Sequence, residues 1–300
     1  MIRIAYHPCY YLDLPDGHRF PMDKYRLLPE QLLYEGLFQQ ENFFAPEKIA
    51  LEKISRVHTQ AYIDKLLSLQ LSKQEIRKSG FPLSQALVDR EQIIAQGTLN
   101  NVHYAIESGV SMNIAGGTHH AFSDRAEAFC FFNDQAIAAQ YILDQGIARR
   151  IAIIDLDVHQ GNGTAEIFST VPEVFTFSMH GKANYPFKKE QSDLDVELES
   201  SITDDVYLQL LEQHLKEIHQ KFEPQFIFYL SGVDILKSDK LGKLNLSIQA
   251  CKRRDAIVLS YAKHYQIPIQ ISMGGGYSPQ LRTIVDAHTN TFREAHRIFT

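Results

Sequence analysis

Short runs of apolar residues recur along the chain and alternate with longer segments of helical pattern. Each run is continuous and does not alternate with polar positions, which is typical of strands in a parallel sheet with both faces buried. The runs cover residues 2–5, 111–115, 151–155, 174–178, 226–230 and 267–272. The pattern therefore predicts six strands of a mostly parallel sheet.

Helix-start signals lie between these runs. Capping side chains begin four predicted helices, at Asn133, Thr203, Ser247 and Ser278, the last followed by a proline. Residues 84–109 read as one long helix, or as two that meet near Gly97. Strands alternating with helices predict an α/β fold, a doubly wound sheet flanked by helices, in one domain of residues 1–300. Ligands of such sheets bind beyond the carboxyl ends of the strands.

Net charge and cysteine content limit the classes of protein to which this chain can belong. The chain has 300 residues and a net charge of −6, with only short, scattered basic runs, which argues against a nucleic-acid partner. Its three cysteines, Cys9, Cys130 and Cys251, lie far apart with no metal or redox spacing, which is typical of reduced thiols. The N-terminus does not resemble a signal peptide, and no apolar run approaches the ~18 residues of a membrane span. We therefore expect a cytoplasmic protein without a membrane partner; no pattern specifies an oligomeric state.

The strongest chemical signal follows the run 151–155. Asp155, Asp157 and His159 stand at alternate positions there, so Asp157 and His159 point the same way on an extended chain. A carboxylate and an imidazole together suit a divalent metal, zinc being the common choice. The alternative is that the two aspartates cap the next helix. Charges that end an apolar strand are costly unless they are paired or bound to a metal, which favours the metal.

A third ligand is expected from another strand end. Asp234 follows the run 226–230 in the same way that Asp157 follows 151–155. Alone it would be read as a turn residue; beside Asp157 and His159 it completes a set of three. Two carboxylates and one imidazole leave a coordination position open for water, as catalysis requires.

Two further motifs also follow predicted strands. His119 and His120 come after two glycines; because adjacent side chains diverge, a pair of acid/base groups fits better than two ligands of one metal. Gly274, Gly275 and Gly276 precede Tyr277 without the lysine of a phosphate loop, so a phenol donor aimed at a developing oxyanion is favoured. Structural histidines and a bare glycine turn are the alternatives.

Together these motifs resemble the arginase/deacetylase superfamily, and specifically its histone-deacetylase branch. The segments Gly-Gly-Thr-His119-His120, Phe129-Cys-Phe-Phe-Asn133-Asp134, Asp155-Leu-Asp157-Val-His159, Gly232-Val-Asp234 and Gly-Gly-Gly-Tyr277 appear in that family's order. The resemblance runs from about Pro8 to about Asp286. Gln160-Gly-Asn162-Gly, where His-Gly-Asp-Gly is commoner, is similar to class IV members and their bacterial relatives.

The resemblance implies a zinc-dependent lysine deacylase and a role for each motif residue. It implies zinc on Asp157, His159 and Asp234, and a structural potassium ion on Asp155, Ser178 and Met179. It implies His120 as the general base, His119 held by Asp155 as its electrostatic or proton-donating neighbour, Asn162 behind His120, and Tyr277 polarising the acyl carbonyl. Substrate contacts are implied for Phe129, Tyr185, Gly275 and Gly276, and an internal-channel arginine for Arg26.

Asn162 stands where many relatives carry an aspartate. An amide orients an imidazole but does not stabilise its cation by charge, so His120 should be less basic here than in those relatives. Asparagine is expected in class IV-like proteins, so the difference indicates altered tuning and does not indicate an inactive enzyme.

The resemblance leaves several functions to weigh. Hydrolysis of acylated lysine in a protein or peptide is favoured, and deacetylation of a small amine such as an acetylpolyamine is the nearest alternative. A ureohydrolase would need ligands for a second metal, where this chain has Gly161 and Leu236. A non-catalytic binding protein would typically have lost a ligand or the tyrosine. Cys130, beside Phe129, is either a packed thiol or an oxidation-sensitive one.

Overall fold

Eight strands form one sheet in which every neighbouring pair is parallel. The computed structural model describes all residues, 1–300. The strands are β1 Arg3–Ala5, β2 Phe43–Phe44, β3 Val110–Asn113, β4 Ile151–Asp155, β5 Val174–Gly181, β6 Leu194–Leu198, β7 Phe226–Leu230 and β8 Ile269–Ser272. Their order across the sheet is β2-β1-β3-β8-β7-β4-β5-β6. The predicted α/β class with a parallel sheet is confirmed.

Ten α-helices flank this sheet. They are α1 Lys24–Tyr34, α2 Leu51–Ile54, α3 Gln60–Leu67, α4 Lys73–Ser79, α5 Gln85–Ser108, α6 Asp134–Asp144, α7 Asn162–Phe168, α8 Asp204–Phe222, α9 Ile248–His264 and α10 Leu281–Phe299. None of them combines the length and apolar composition needed to cross a membrane.

The central strands are buried along their whole length, as continuous apolar runs require. Every residue of β3, β4, β7 and β8 is buried, and the boundaries of β4 and β7 match the predicted runs. Two strands were not predicted. The strand β2 has only two residues, and the edge strand β6 mixes leucine and valine with acidic residues that stay partly exposed. Neither carries a continuous apolar run.

Helix caps were predicted well except for the last. The side chains of Asn133, Thr203 and Ser247 each accept a hydrogen bond from a backbone N–H in the first turn of α6, α8 and α9. The helix predicted to start at Ser278 instead begins at Leu281 as α10. The Ser278 hydroxyl shares a 2.7 Å hydrogen bond with the Ser238 hydroxyl, so it serves the neighbouring loop and not the helix.

The long helix α5 runs without interruption through Gly97. A Cβ atom at this position would lie 2.7 Å from the Tyr10 hydroxyl oxygen and 3.0 Å from the Ala5 Cβ. Glycine at this position therefore lets α5 approach the start of the chain closely, and it does not break the helix.

We predict that Gly97→Ala lowers the stability of the protein. In an exposed helix the same change would stabilise by about 1 kcal/mol, but overpacking here should cost about 1–3 kcal/mol. Urea unfolding of the variant measures the difference. Glu107→Ala, at an exposed position of α5, is the control and should not lower the free energy of unfolding. A stabilised Gly97→Ala protein would contradict the close packing.

Candidate active site

Four neighbouring strands end at the same edge of the sheet and carry the predicted site residues. The strand β3 leads to His119 and His120, β4 to Asp157 and His159, β7 to Asp234, and β8 to Tyr277. Because β3, β8, β7 and β4 are consecutive in the sheet, segments far apart in sequence meet in one place, as expected for ligand sites of parallel sheets.

Asp157, His159 and Asp234 form one buried cluster. Their potential ligand atoms all lie within 4.8 Å of one another. The Nδ1 atom of His159 is 2.9 Å from Asp157 Oδ1 and 3.3 Å from Asp234 Oδ2. The three donors predicted from separate strand ends therefore face a common point.

Backbone N–H groups fix the two carboxylates. Asp157 accepts hydrogen bonds from the N–H groups of His159, at 3.0 Å, and Gly275, at 2.9 Å. Asp234 Oδ1 accepts from the Val158 N–H at 3.0 Å, while its Oδ2 atom is buried without a hydrogen bond. A buried acceptor without a partner is costly, so Asp234 Oδ2 is well suited to a cation.

Glycine is required where the loop after β8 passes this cluster. A Cβ atom on Gly275 would collide with Asp234 Oδ2 and lie 2.7 Å from Asp157 Oδ2. The loop thus brings its backbone against both carboxylates and closes one side of the cluster.

The charges of the cluster need a counterion. Burial, together with the negative charge of Asp157, raises the pKa of Asp234 to about 7. Burial alone would lower the pKa of His159, but its interactions with the Asp157 and Asp234 carboxylates outweigh burial and raise that pKa to about 10. Without a metal, the two carboxylates favour a protonated neighbour. A divalent cation at the same position would compensate the two carboxylates and would displace this proton.

His119 and His120 are anchored differently. His119 Nδ1 lies 2.6 Å from Asp155 Oδ2, and His120 Nδ1 lies 2.6 Å from Asn162 Oδ1. Since both partner atoms only accept, each Nδ1 carries the proton and the Nε2 atoms are left for other chemistry. The two rings lie 4.0 Å apart between centroids.

The partners give the two histidines opposite pKa shifts. Burial lowers the pKa of His119, but the charge and hydrogen bond of Asp155 outweigh it, so the pKa is raised. Burial and the charges of His119 and His159 together lower the pKa of His120 well below its usual value. His120 is therefore the neutral member of the pair, and His119 is the one that holds a proton more readily.

Tyr277 stands across the same cavity. Its ring lies 5.9 Å from Phe20 and 6.0 Å from Phe129, centroid to centroid, and its backbone N–H donates to Asp239 Oδ2 at 2.6 Å. Burial and the nearby Asp234 and Asp157 raise the pKa of its phenol well above the usual value. The hydroxyl accordingly stays protonated and can act as a hydrogen-bond donor.

These groups line a cavity of about 290 Å³. Its lining includes His119, His120, Gly275 and Tyr277, together with the two predicted wall residues Phe129 and Tyr185. The rings of Tyr185 and His120 meet edge to face, 5.0 Å apart. Phe129, whose ring belongs to the lining, adopts φ +70°, an uncommon backbone conformation for a bulky residue. Gly276 packs against Val233 and is not part of the lining.

Comparison with known proteins identifies the family. The model of the histone deacetylase domain matches residues 18–292 of the 300-residue chain. The chain belongs to the histone deacetylase family. It is 40% identical to an uncharacterized protein of Picosynechococcus over 99% of both chains, and 27% identical to histone deacetylase 2 of Arabidopsis thaliana over 98% of this chain and 79% of that one.

Solved structures agree with this assignment. A histone deacetylase homologue crystallised with SAHA superposes with a TM-score of 0.84 at 26% identity, over 99% of this chain and 84% of that one. The homologue from Aquifex aeolicus gives a TM-score of 0.83 at 25% identity, over 98% and 84% of the two chains. The arginase/deacetylase fold predicted from the motifs is thereby confirmed.

One prediction carried over from the histone deacetylase family is wrong. Arg26, expected in an internal channel, is exposed and pairs with Asp23 at 2.7 Å. Two residues earlier on α1, Lys24 is fully buried and its Nζ donates to the Gly274 carbonyl oxygen at 3.1 Å. Helix register decides between them, because residues two apart lie on different faces of a helix.

Three residues near the site were given no role by the sequence analysis. The Lys24 ammonium donates a hydrogen bond to the glycine loop at the Gly274 carbonyl oxygen, and the Asp239 carboxylate accepts one from the Tyr277 N–H. The Glu127 carboxylate accepts a hydrogen bond from the Tyr185 hydroxyl. Lys24 and Glu127 lie in no motif. Asp239 lies in the segment Asp234-Ile-Leu-Lys-Ser-Asp239-x-Leu-Gly, which is similar to class IV members, but no role was predicted for its carboxylate. Cys130 is buried, and burial raises the pKa of its thiol well above the usual value, which favours packing over reactivity.

The residues of the implied potassium site lie on adjacent strands. Asp155 of β4 is the register partner of Ser178 on β5, and Met179 follows. Asp155 Oδ1 accepts from the Asp157 N–H at 3.1 Å, and Oδ2 faces His119. Potassium at this position stays a prediction.

We predict that the purified protein binds one zinc ion and that Asp157→Ala, His159→Ala or Asp234→Ala each removes most of it, because three donors act on one ion. Elemental analysis of dialysed protein measures the zinc content. Asp239→Asn alters a nearby, partly buried carboxylate outside the cluster and should retain zinc. Full zinc content in one of the three alanine variants would exclude that residue as a ligand.

Proposed function

We propose that residues 1–300 form one catalytic domain that hydrolyses the amide of acylated lysine side chains in a zinc-dependent reaction. The observation that carries this proposal is the placement of the three-donor cluster, the two anchored histidines and the tyrosine around a single cavity. The assay of a panel of acyl-lysine peptides and acetylpolyamines with zinc-loaded protein tests it. Activity on none of these amides would overturn it.

Asp157, His159 and Asp234 would hold the zinc. When bound, the ion would supply a Lewis acid that polarises the acyl carbonyl and lowers the pKa of a water molecule. Its fit is supported by the unpartnered Asp234 Oδ2 atom and by the donor set, which leaves room for water and substrate.

His120 is the proposed general base. Its Nδ1–H is engaged by Asn162, so the free Nε2 atom takes the proton of the attacking water. The lowered pKa keeps the ring neutral near pH 7. His119, which holds a proton more readily beside Asp155, stabilises the developing negative charge, and a protonated histidine returns a proton to the leaving amine as the carbon–nitrogen bond breaks.

The remaining residues orient the substrate. Tyr277 donates its phenolic hydrogen to the acyl oxygen as negative charge develops there. Phe129 and Tyr185 hold the aliphatic chain of the lysine between them, and Gly275 lets the backbone approach the acyl group. Gly276 lies outside the cavity lining and is not assigned a substrate contact. A structural potassium ion at Asp155, Ser178 and Met179 is part of the same proposal and would support the loop that follows β4.

We predict that Tyr277→Phe lowers turnover by about 100-fold or more, because it removes one donor to the developing oxyanion while keeping the ring. Zinc content should be unchanged. Binding of a hydroxamate, which chelates the metal directly, should persist. Steady-state kinetics together with hydroxamate titration measures both effects, and wild-type turnover in the variant would refute the role of the hydroxyl.

We predict that Asn162→Asp moves the acidic limb of the pH–rate profile to higher pH. A carboxylate in place of the amide, 2.6 Å from His120 Nδ1, favours the imidazolium and raises the pKa of His120 by about one unit or more. Since the base must be neutral, activity below neutrality should fall. The measurement is kcat/KM against pH with one peptide for both proteins. An unmoved limb would mean that His120 is not the base.

A further inference from the structure

Three basic side chains stand at the mouth of the cavity. Arg19, Lys78 and Lys243, termed here the mouth cations, are exposed and belong to its lining. They come from three separate segments: the loop before α1, the end of α4 and the loop after β7. Their meeting at one opening follows from the fold and not from a basic run in the sequence.

Each mouth cation is tied to one of the two aromatic walls. The Arg19 guanidinium lies 4.9 Å from the centroid of the Phe129 ring. The Lys78 carbonyl accepts a hydrogen bond from the Ala128 N–H at 3.0 Å, immediately before Phe129. The Lys243 Nζ donates to the Ala183 carbonyl oxygen at 2.9 Å, two residues before Tyr185. The three residues are therefore anchored beside the walls of the opening through which a substrate must pass, Arg19 and Lys243 by their side chains and Lys78 by its backbone.

These charges are not neutralised locally. Asp157, part of the three-donor cluster, is the one carboxylate among the lining residues. Glu127 lies close by, but its carboxylate is engaged by the Tyr185 hydroxyl and by Arg125, whose Nε is 3.0 Å away. The whole chain carries a net charge of −6, so a positive opening runs against its overall charge.

An aromatic side chain at the same opening favours a substrate larger than a lone acylated amine. Phe187 lines the cavity and is 89% exposed. An exposed aromatic ring beside a cavity is typical of a contact surface for a bound partner. A peptide backbone leaving the opening would pass over it, whereas a small amine held inside the cavity would leave it in water.

We propose that the mouth cations select acyl-lysine peptides that carry acidic residues next to the lysine, and that they disfavour polycationic amines such as acetylpolyamines. This inference rests on the proposed function and specifies its substrate class. The physical basis is attraction between exposed opposite charges, which acts on encounter and binding and weakens as salt screens it. The effect should therefore appear in KM more than in kcat.

The test compares one acyl-lysine peptide with aspartate, serine or lysine at the flanking positions, together with acetylspermidine, on the zinc-loaded enzyme. We expect kcat/KM to fall in the order aspartate, serine, lysine. The extremes should differ by about tenfold at low salt and by about twofold at 0.5 M salt. Acetylspermidine should be the poorest substrate. Preference for the lysine-flanked peptide or for acetylspermidine would overturn the inference.

A charge-matched pair of variants assigns the effect to the mouth. The triple variant Arg19→Gln, Lys78→Gln, Lys243→Gln should bring the aspartate-to-lysine ratio of kcat/KM close to one. The control Arg149→Gln, Lys216→Gln, Lys263→Gln removes the same charge at positions outside the lining and should keep the wild-type ratio. A preserved ratio in the first variant, or a lost ratio in the control, would contradict the assignment.

Different outcomes would contradict the role of the mouth cations and the proposed function. Hydrolysis of the serine-flanked peptide without any dependence on flanking charge would leave the proposed function standing and remove the role of the mouth cations. Hydrolysis of no peptide at all would overturn the proposed function and the inference with it.

Discussion

The structure depends on keeping two buried carboxylates together. Asp157 and Asp234 follow adjacent strands of the sheet, and burial of two negative charges side by side is costly unless a cation compensates them. Backbone N–H groups satisfy three of the four oxygens, and Gly275 lets one of those groups come close. The buried Lys24 adds a positive charge under the same loop. The fold thus concentrates buried negative charge at one point, where a divalent ion would compensate it.

Neighbouring charges also give different pKa values to two histidines that are adjacent in sequence. His119 faces a carboxylate and His120 faces an amide, so one ring is prepared to carry a proton and the other to accept one. Two imidazolium ions with centroids 4.0 Å apart would repel each other, so protonation of one makes protonation of the other less favourable. Asp155 and Asn162 therefore largely determine which of the two rings is protonated first.

The sequence predicts those parts of the site that depend on local interactions, and it does not predict the parts that depend on packing between distant segments. The continuous apolar runs placed β4 and β7 to the residue, and the polar groups that end them identified the cluster, because strand direction and side-chain alternation are local properties. The edge strand β6 was missed because its partial exposure removes the apolar signal. Arg26 was expected in the channel and Lys24 was not considered, because the register of a helix against the sheet is set by packing. Glu127 contacts Tyr185 only through loops 58 residues apart.

The two ends of the cavity differ in burial, and charges at the two ends therefore have different effects. The floor is buried, so its charges interact strongly and salt screens them little, and substitutions there should act on the chemical step. The opening is exposed to solvent, so each charge at Arg19, Lys78 or Lys243 contributes little binding energy alone and should act mainly on substrate binding. With zinc bound, the two carboxylates of the floor would be close to neutralised, so the floor would neither attract nor repel a charged peptide. Selection by charge would then fall to the opening, where residues can change without disturbing the residues proposed to perform hydrolysis.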